Sequence, residues 1–154
     1  MGERLLDFAM QLVLAEERAR QAVKPVPVEA KPLSTYVVDR RDVTLRGEEV
    51  VASCSGRGVL QEFVAKAEDT DFQVWVEKDG EKIIRGTYGE YAEISQDVEG
   101  IDAFAERDED GNLTGAYVFK AGDIDFTRSL TVVLKMAKPV KFRVVFCRYK
   151  VAEA

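Results

Sequence analysis

An acidic turn is the stretch of the sequence whose residue types come nearest to a metal site. Asp108, Asp110 and Asn112 occupy the first three ligand positions of an EF-hand calcium loop. However, Gly111 comes two places too early, and the twelfth position is Phe119, where such a loop needs a bidentate glutamate. The sequence therefore favours a solvated hairpin tip over a cation site, and it predicts no metal and no cofactor.

Carboxylate chemistry is the other activity that the acidic residues suggest. Asp123 and Asp125 could join a site with the acidic turn only if the fold brings them close. Two carboxylates can hydrolyse a glycosidic bond without a histidine, but with 28 acidic residues such pairs arise by chance. The chain has neither a Gly-x-Ser-x-Gly nucleophile elbow nor a Gly-x-x-x-x-Gly-Lys phosphate loop. We therefore expect a protein that is not an enzyme.

Histidine is absent and cysteine is scarce, and both facts exclude classes of site. Without histidine the chain lacks the commonest general base and the imidazole ligands of most catalytic zinc sites. Cys54 and Cys147 are the only cysteines, too few for an iron–sulfur cluster on one chain. Both lie in strand-like segments, and the reducing compartment that we expect for this protein favours two buried thiols over a disulfide. The sequence does not establish whether they are close.

Aromatic side chains are the remaining candidates for binding. Trp75, Tyr88 and Tyr91 are the residues that we single out. Trp75 alternates with the apolar residues of its strand, so it lies on the opposite face, where it can stack on a sugar ring or meet a partner. The alternative that we favour is that Trp75 is covered by the segment that contains Tyr88 and Tyr91, or by another subunit.

The charge balance argues against nucleic acid and membrane as partners. The net charge is −6, from 22 basic and 28 acidic residues, whereas phosphate binding requires clustered Lys and Arg. The longest apolar run, within residues 5–15, is well short of the roughly 20 residues that span a bilayer. The sequence also shows no signal peptide, so we expect a cytoplasmic protein.

Two predicted segments precede residues 34–152, which are predicted to form β-structure. Residues 1–23 are predicted to form an α-helix with a wide apolar face, and residues 24–33 a proline-rich arm. Such a helix must pack on the domain, on a copy of itself or on a partner. The candidate contact residues on its apolar face are Leu5, Phe8, Leu12 and Val13.

Residues 34–152 are predicted to form one antiparallel β domain. The clearest signal is a hairpin at Phe72–Arg85, in which Phe72, Val74 and Val76 alternate with polar residues before an Asp79-Gly80 turn. Eight or nine short strands separated by Gly, Asp and Pro predict a mainly β fold, an antiparallel β-sandwich of jelly-roll type. Residues 87–95 fit a single helical turn better than a strand.

Three runs of this sequence resemble β-sandwich structural proteins of tailed phages and related viruses. They are residues 58–67, residues 71–84, and the closing strands from Leu130 to Tyr149, so that the resemblance covers roughly residues 58–151. The resemblance implies a virion component, such as a capsid-decoration, neck or tail protein, and carries over no catalytic residue.

These observations lead to two functional hypotheses. The first is a non-enzymatic structural protein that forms a homo-oligomer, in the cytoplasm or in a virion, through its helix, arm and sandwich faces. Its partners are then copies of itself and other virion proteins. The alternative is a carbohydrate-binding β-sandwich module that uses Trp75.

Overall fold

Seven strands and one short helix make up the part of the chain that the computed structural model describes, residues 32–152. The predicted helix over residues 1–23, with Leu5, Phe8, Leu12 and Val13, and almost all of the predicted arm lie outside these residues. The elements, in chain order, are β1 Ser34–Ser55, β2 Arg57–Ala67, β3 Gln73–Lys78, β4 Glu81–Thr87, α1 Tyr88–Ile94, β5 Ile101–Arg107, β6 Leu113–Phe126 and β7 Ser129–Ala152.

All seven strands belong to one curled antiparallel sheet that is organised around β7. One side of β7 pairs with β1 along almost its whole length. On the other side its first half pairs with β3 and its second half with β2, giving the order β4-β3-β7-β2-β6-β5. The prediction of a mainly β, antiparallel fold is confirmed. The finer prediction of a two-layered jelly roll stays a prediction, because the strands form a single hydrogen-bonded sheet.

Two of the observed strands are longer than the short strands that the sequence predicts. β1 is 22 residues long and β7 is 24 residues long, and β7 runs straight through Pro139. Proline cannot donate to a ladder, which is why we expected a break there. The strand continues because Leu45 pairs with Val140 and Gly47 with Met136, so residues 137–139 have no register partner in β1.

The hairpin predicted at Phe72–Arg85 is confirmed. Asp79 and Gly80 both have positive φ, 53° and 81°, as a tight turn between twisted strands requires. Phe72, Val74 and Val76 are buried in the core, as the alternation predicts. The register shifts by one residue between Val76 and Glu77, a β-bulge that the sequence did not reveal.

The helical turn predicted at residues 87–95 is also confirmed, as α1. Thr87 begins the helix with a capping box: its hydroxyl accepts from the Glu90 amide, and the Glu90 carboxylate accepts from the Thr87 amide. α1 packs against β4 and β5, whose strands are the two ends of the sheet order. The helix therefore covers the place where the curled sheet would otherwise leave the core open.

The β3–β4 turn is fastened to the turn between β6 and β7 by one carboxylate. Asp79 accepts hydrogen bonds from the backbone amides of Thr127, Arg128 and Ser129, at 3.1, 2.6 and 3.0 Å, and from the Thr127 hydroxyl. These donors, led by the Thr127 amide, favour the charged carboxylate and hold the pKa of Asp79 well below its usual range. Asp79 therefore has a structural role, because its carboxylate joins the two turns.

We expect Asp79→Ala to lower the melting temperature at neutral pH and to do so less in acid. A lowered folded-state pKa gives stability that is fully present above the unfolded pKa, about 4, and that is lost as the pH falls below it. Thermal unfolding of the wild type and the variant at pH 7 and pH 2.5 measures this difference. Asp110→Ala is the matched control, because no described donor contacts its carboxylate. If Asp79→Ala lowered the melting temperature equally at both pH values, the lowered pKa that we assign to Asp79 would be wrong.

No helix in residues 32–152 is both long enough and apolar enough to cross a membrane. The only described helix, α1, has 7 residues. This finding concerns helices within those residues alone.

Candidate functional site

Tyr88 and Tyr91, two of the aromatic candidates, hold α1 onto the sheet. The Tyr88 ring is buried, with centroids 5.6 Å from those of Phe72 and Tyr117. This burial raises the pKa of the Tyr88 phenol, with a smaller contribution from the charge on Tyr117. The Tyr91 ring meets Phe119 edge to face, and its hydroxyl accepts a 2.7 Å hydrogen bond from the backbone amide of Arg85.

The acidic turn is organised by its own hydrogen bonds. The Asp108 carboxylate accepts from the amides of Asp110 and Asn112, at 3.0 and 2.9 Å, which is an arrangement typical of a turn. Asp123 and Asp125 lie near the other end of β6, so the fold does not bring them to this turn. Within residues 32–152 no group of three or more His, Cys, Asp or Glu side chains is placed to hold a metal ion.

Cys147 is a free thiol. Cys147 is completely buried, and this burial raises its pKa to about 12, with a smaller contribution from Cys54. At neutral pH the Cys147 thiol is therefore protonated and is a poor nucleophile.

Trp75 lies on the outer face of β3, opposite the core, as the alternation predicts. It is half-buried, and its indole N–H donates a 3.0 Å hydrogen bond to the Gln73 side chain two residues earlier on the same face. In the sheet register Trp75 stands between Arg85 of β4 and Val133 of β7. It does not lie under α1, whose own aromatic contacts are with the core.

Three cationic side chains converge on the Trp75 ring. The Lys135 Nζ lies 3.6 Å from the ring centroid, the Arg85 Cζ 4.7 Å and the Lys82 Nζ 4.9 Å. Each distance is within the range of a cation–π contact. We call Trp75, Gln73, Lys82, Arg85 and Lys135 the Trp75 cluster.

An open depression of about 300 Å³ lies beside the Trp75 cluster. The cluster residues Trp75, Lys82 and Lys135 line it together with Val133, Thr131, Val50, Glu48 and Glu77. A second depression, of about 570 Å³, lies beyond Lys135, against the β2–β3 loop and the start of α1. Lys135 lines both, so it stands between the two volumes.

The sequence pointed to Trp75 but not to its cationic neighbours, because the bulge changes the pairing. An unbulged two-residue turn would place Ile84 opposite Trp75, whereas the shift at Val76 places Arg85 there. The bulge therefore directs Ile84 into the core, where it is 2% exposed, and Arg85 onto the outer face. The approach of Lys135 depends on the long-range pairing of β3 with β7, for which the sequence carried no signal.

Comparison of the sequence with models of known protein families and with curated proteins finds no match. The sheet and the Trp75 cluster are therefore the features that bear on function.

Proposed function

We propose that this protein is a non-enzymatic assembly protein that acts as a homo-oligomer, as a component of a virion-type particle. The resemblance of residues 58–151 to sandwich proteins of tailed phages supports this class. It further implies that the two ends of the curled sheet act as the layers of a sandwich. The single observation that carries the proposal is the open edge of β1.

The open edge of β1 is the side of the strand that faces away from β7. Among the described strands only β7 pairs with β1, so this side of β1 faces no other described strand. Proteins usually blunt such an edge with bulges, prolines or charged side chains, and Asp39, Arg40 and Arg41 are charged residues of this kind. β1 has two register shifts, but both come after Leu45.

The first part of this edge, Ser34–Arg41, keeps an unbroken register with β7 and contains no proline. Val37, in its centre, is 56% exposed. A regular, β-prone edge with an exposed valine is suited to receive another strand.

A second copy of the chain is the partner that this edge fits best. Two identical strands pair antiparallel about a twofold axis, and the twofold dimer is the commonest homo-oligomer. If the axis passes through Arg40, Asp39 of each copy faces Arg41 of the other, and Val37 faces Val43. The Arg40 side chain is engaged within its own chain by Glu49, at 2.7 Å, which reduces repulsion at the axis.

We expect the full-length protein to be an oligomer in solution and Val37→Lys to shift it towards the monomer. In this register a lysine at position 37 faces Val43 of the other copy and lies diagonal to its Arg41, so like charges come close together, and lysine is a device that natural edges use against pairing. Light scattering coupled to size-exclusion chromatography, at several protein concentrations, measures the mass. We expect the dissociation constant to rise by about tenfold or more, the equivalent of 1.4 kcal/mol.

Leu113→Lys is the matched control, because Leu113 is also an exposed apolar residue, 60% exposed, but lies in the β5–β6 hairpin. It should leave the mass unchanged. A wild type that is monomeric at all concentrations would refute self-association, and an oligomer that is insensitive to Val37→Lys would place the contact elsewhere, such as the predicted helix with Leu5 and Phe8.

Carbohydrate binding through Trp75 is the weaker candidate. Stacking on a neutral sugar needs an accessible ring face, and the Lys135 ammonium already lies 3.6 Å from the ring centroid. A neutral sugar would have to displace this cation and lose the cation–π contact. The half-exposed ring beside an open depression nevertheless favours the binding of some ligand.

A further inference from the structure

We propose that the Trp75 cluster is a binding site for an anionic oxygen group, a carboxylate, sulfate or phosphate. This inference goes beyond the assembly role, does not depend on it and concerns the outer face at β3, not the first part of the β1 edge. Its basis is a set of three cations that are gathered at one ring and that nearby carboxylates neutralise only in part.

Lys82 and Arg85 have no carboxylate within 4.0 Å among the described residues. Other cations of the protein do: Lys138, for example, contacts Asp69 and Asp71 at 3.1 and 2.9 Å. Lys135 reaches a carboxylate, Glu48, only at 4.0 Å. The cluster therefore brings together cations that the chain itself pairs weakly or not at all.

The arrangement has an electrostatic cost that an anion would remove. Cations that share one ring lie within about 10 Å of one another, a separation over which like charges still repel at ordinary ionic strength. The indole offsets part of this repulsion through cation–π attraction. An anionic oxygen group between the cations would reverse the sign of the interaction and accept charge-assisted hydrogen bonds from ammonium and guanidinium.

Two carboxylates face the same depression and limit the site. Glu48 lies at the edge of the ion-pair range from Lys135, and Glu77 is opposite Lys82 in the register without an ion-pair contact. Arg85 contacts the ring from outside this depression, so it does not share the space that Glu48 and Glu77 line, and its guanidinium offers a planar fork that suits an oxyanion. Selectivity must come from this fork and the ring, since the protein as a whole is acidic.

Protection of an exposed edge is the simpler explanation for part of the cluster. β4 is at one end of the sheet order, and charged residues on an edge strand discourage aggregation. This explanation accounts for Lys82 and Arg85 but not for Lys135, which comes from the central strand β7. It also does not require the three side chains to converge on one indole.

The lone tryptophan makes the site directly observable. Trp75 is the only tryptophan of the chain, so the intrinsic fluorescence of the full-length protein reports on this cluster alone. We would titrate the protein with sodium sulfate, sodium phosphate and sodium glucuronate, each at ionic strength matched with sodium chloride. Galactose serves as the neutral sugar. The inorganic anions and the uronate distinguish a free oxyanion from an acidic sugar as the ligand.

We expect a saturable fluorescence change with at least one oxyanion, in about the millimolar range, and none with chloride or galactose. Arg85→Gln should weaken it by about tenfold, the size of a lost charge-assisted hydrogen bond, and Lys82→Gln and Lys135→Gln should also weaken it. Lys120→Gln is the matched control, because Lys120 lies over Phe104, at 5.6 Å, on another hairpin. Thermal unfolding of each variant verifies that it is folded.

The titrations distinguish oxyanion binding from neutral carbohydrate binding and from simple protection of the edge. A response to sulfate or phosphate identifies an inorganic or esterified oxyanion, and a response to glucuronate alone identifies an acidic sugar; both support the site. A response to galactose would overturn it in favour of neutral carbohydrate binding. A change that chloride reproduces, or that survives in Arg85→Gln, would overturn it in favour of edge protection. None of these results depends on the oligomeric state.

Discussion

Replacing Phe72 with alanine is expected to lower the free energy of unfolding by about 3–5 kcal/mol. Phe72 is 2% exposed and precedes β3 directly. Its ring centroid lies 5.4 Å from that of Phe142 in the central strand and 5.6 Å from that of Tyr88 in α1. The substitution removes the aromatic group between the helix and the sheet, and the surroundings cannot fill the cavity because they belong to separate elements.

Urea unfolding of the full-length variant, followed by the fluorescence of Trp75, measures this loss. Trp75 lies on the outer face and does not touch the cavity, so it reports on unfolding of the sheet. Phe104→Ala is the matched control, because Phe104 is only half-buried and should cost clearly less. A loss below about 1.5 kcal/mol for Phe72→Ala would mean that α1 contributes little to closing the core.

Local periodicity predicted which residues of the β3–β4 hairpin face the core but not the pairing of its outer face. The alternation of Phe72, Val74 and Val76 needs only the period of a strand, and these residues are buried. The bulge after Val76 has no comparable signature, since Glu77-Lys-Asp-Gly reads as an ordinary strand end. Because the extra residue places Arg85 instead of Ile84 on the outer face, the contact of Arg85 with Trp75 was missed. The contact of Lys135 was missed for another reason, since it depends on the pairing of β3 with β7.

Strand lengths were mispredicted for a related physical reason. Pro139 normally interrupts a ladder, and the sequence cannot show that β7 changes partner from β3 to β2 at this point. The break that we expected is instead a bulge in one continuous strand. A single sequence shows the backbone preferences of residues 137–139. It does not show the long-range pairing that leaves these residues without a register partner in β1, so that Pro139 does not interrupt β7.

The second large effect that we expect is at Gly58, where close packing excludes any side chain. Gly58 pairs with Phe126 of β6 on one side and with Val151 of β7 on the other. A Cβ atom built on its backbone would overlap the Lys150 carbonyl oxygen and would lie 2.7 Å from the Phe126 Cζ. The first of these is backbone of the central strand, so the strand itself would have to move.

Gly58→Ala is therefore expected to cost about 3 kcal/mol or more, at the upper end of the range for overpacked positions, because β2, β6 and β7 must separate locally. Gly89→Ala is the matched control: Gly89 lies in α1, and the nearest atom to its added Cβ is the Thr87 hydroxyl at 3.9 Å. Since alanine favours a helix over glycine, this control should stabilise the protein by about 0.5–1 kcal/mol.

The same urea experiment measures the change in the free energy of unfolding for both glycine variants. A loss for Gly58→Ala and a gain for Gly89→Ala would support the close packing of the sheet centre and the looser packing around Gly89 in α1. If Gly58→Ala were neutral, the three strands would have room to separate and the register of β2 between β6 and β7 would be looser than described. That result would also weaken the assembly proposal, because an open edge on β1 can recruit a second copy only if β7, its support, is held rigidly from the other side.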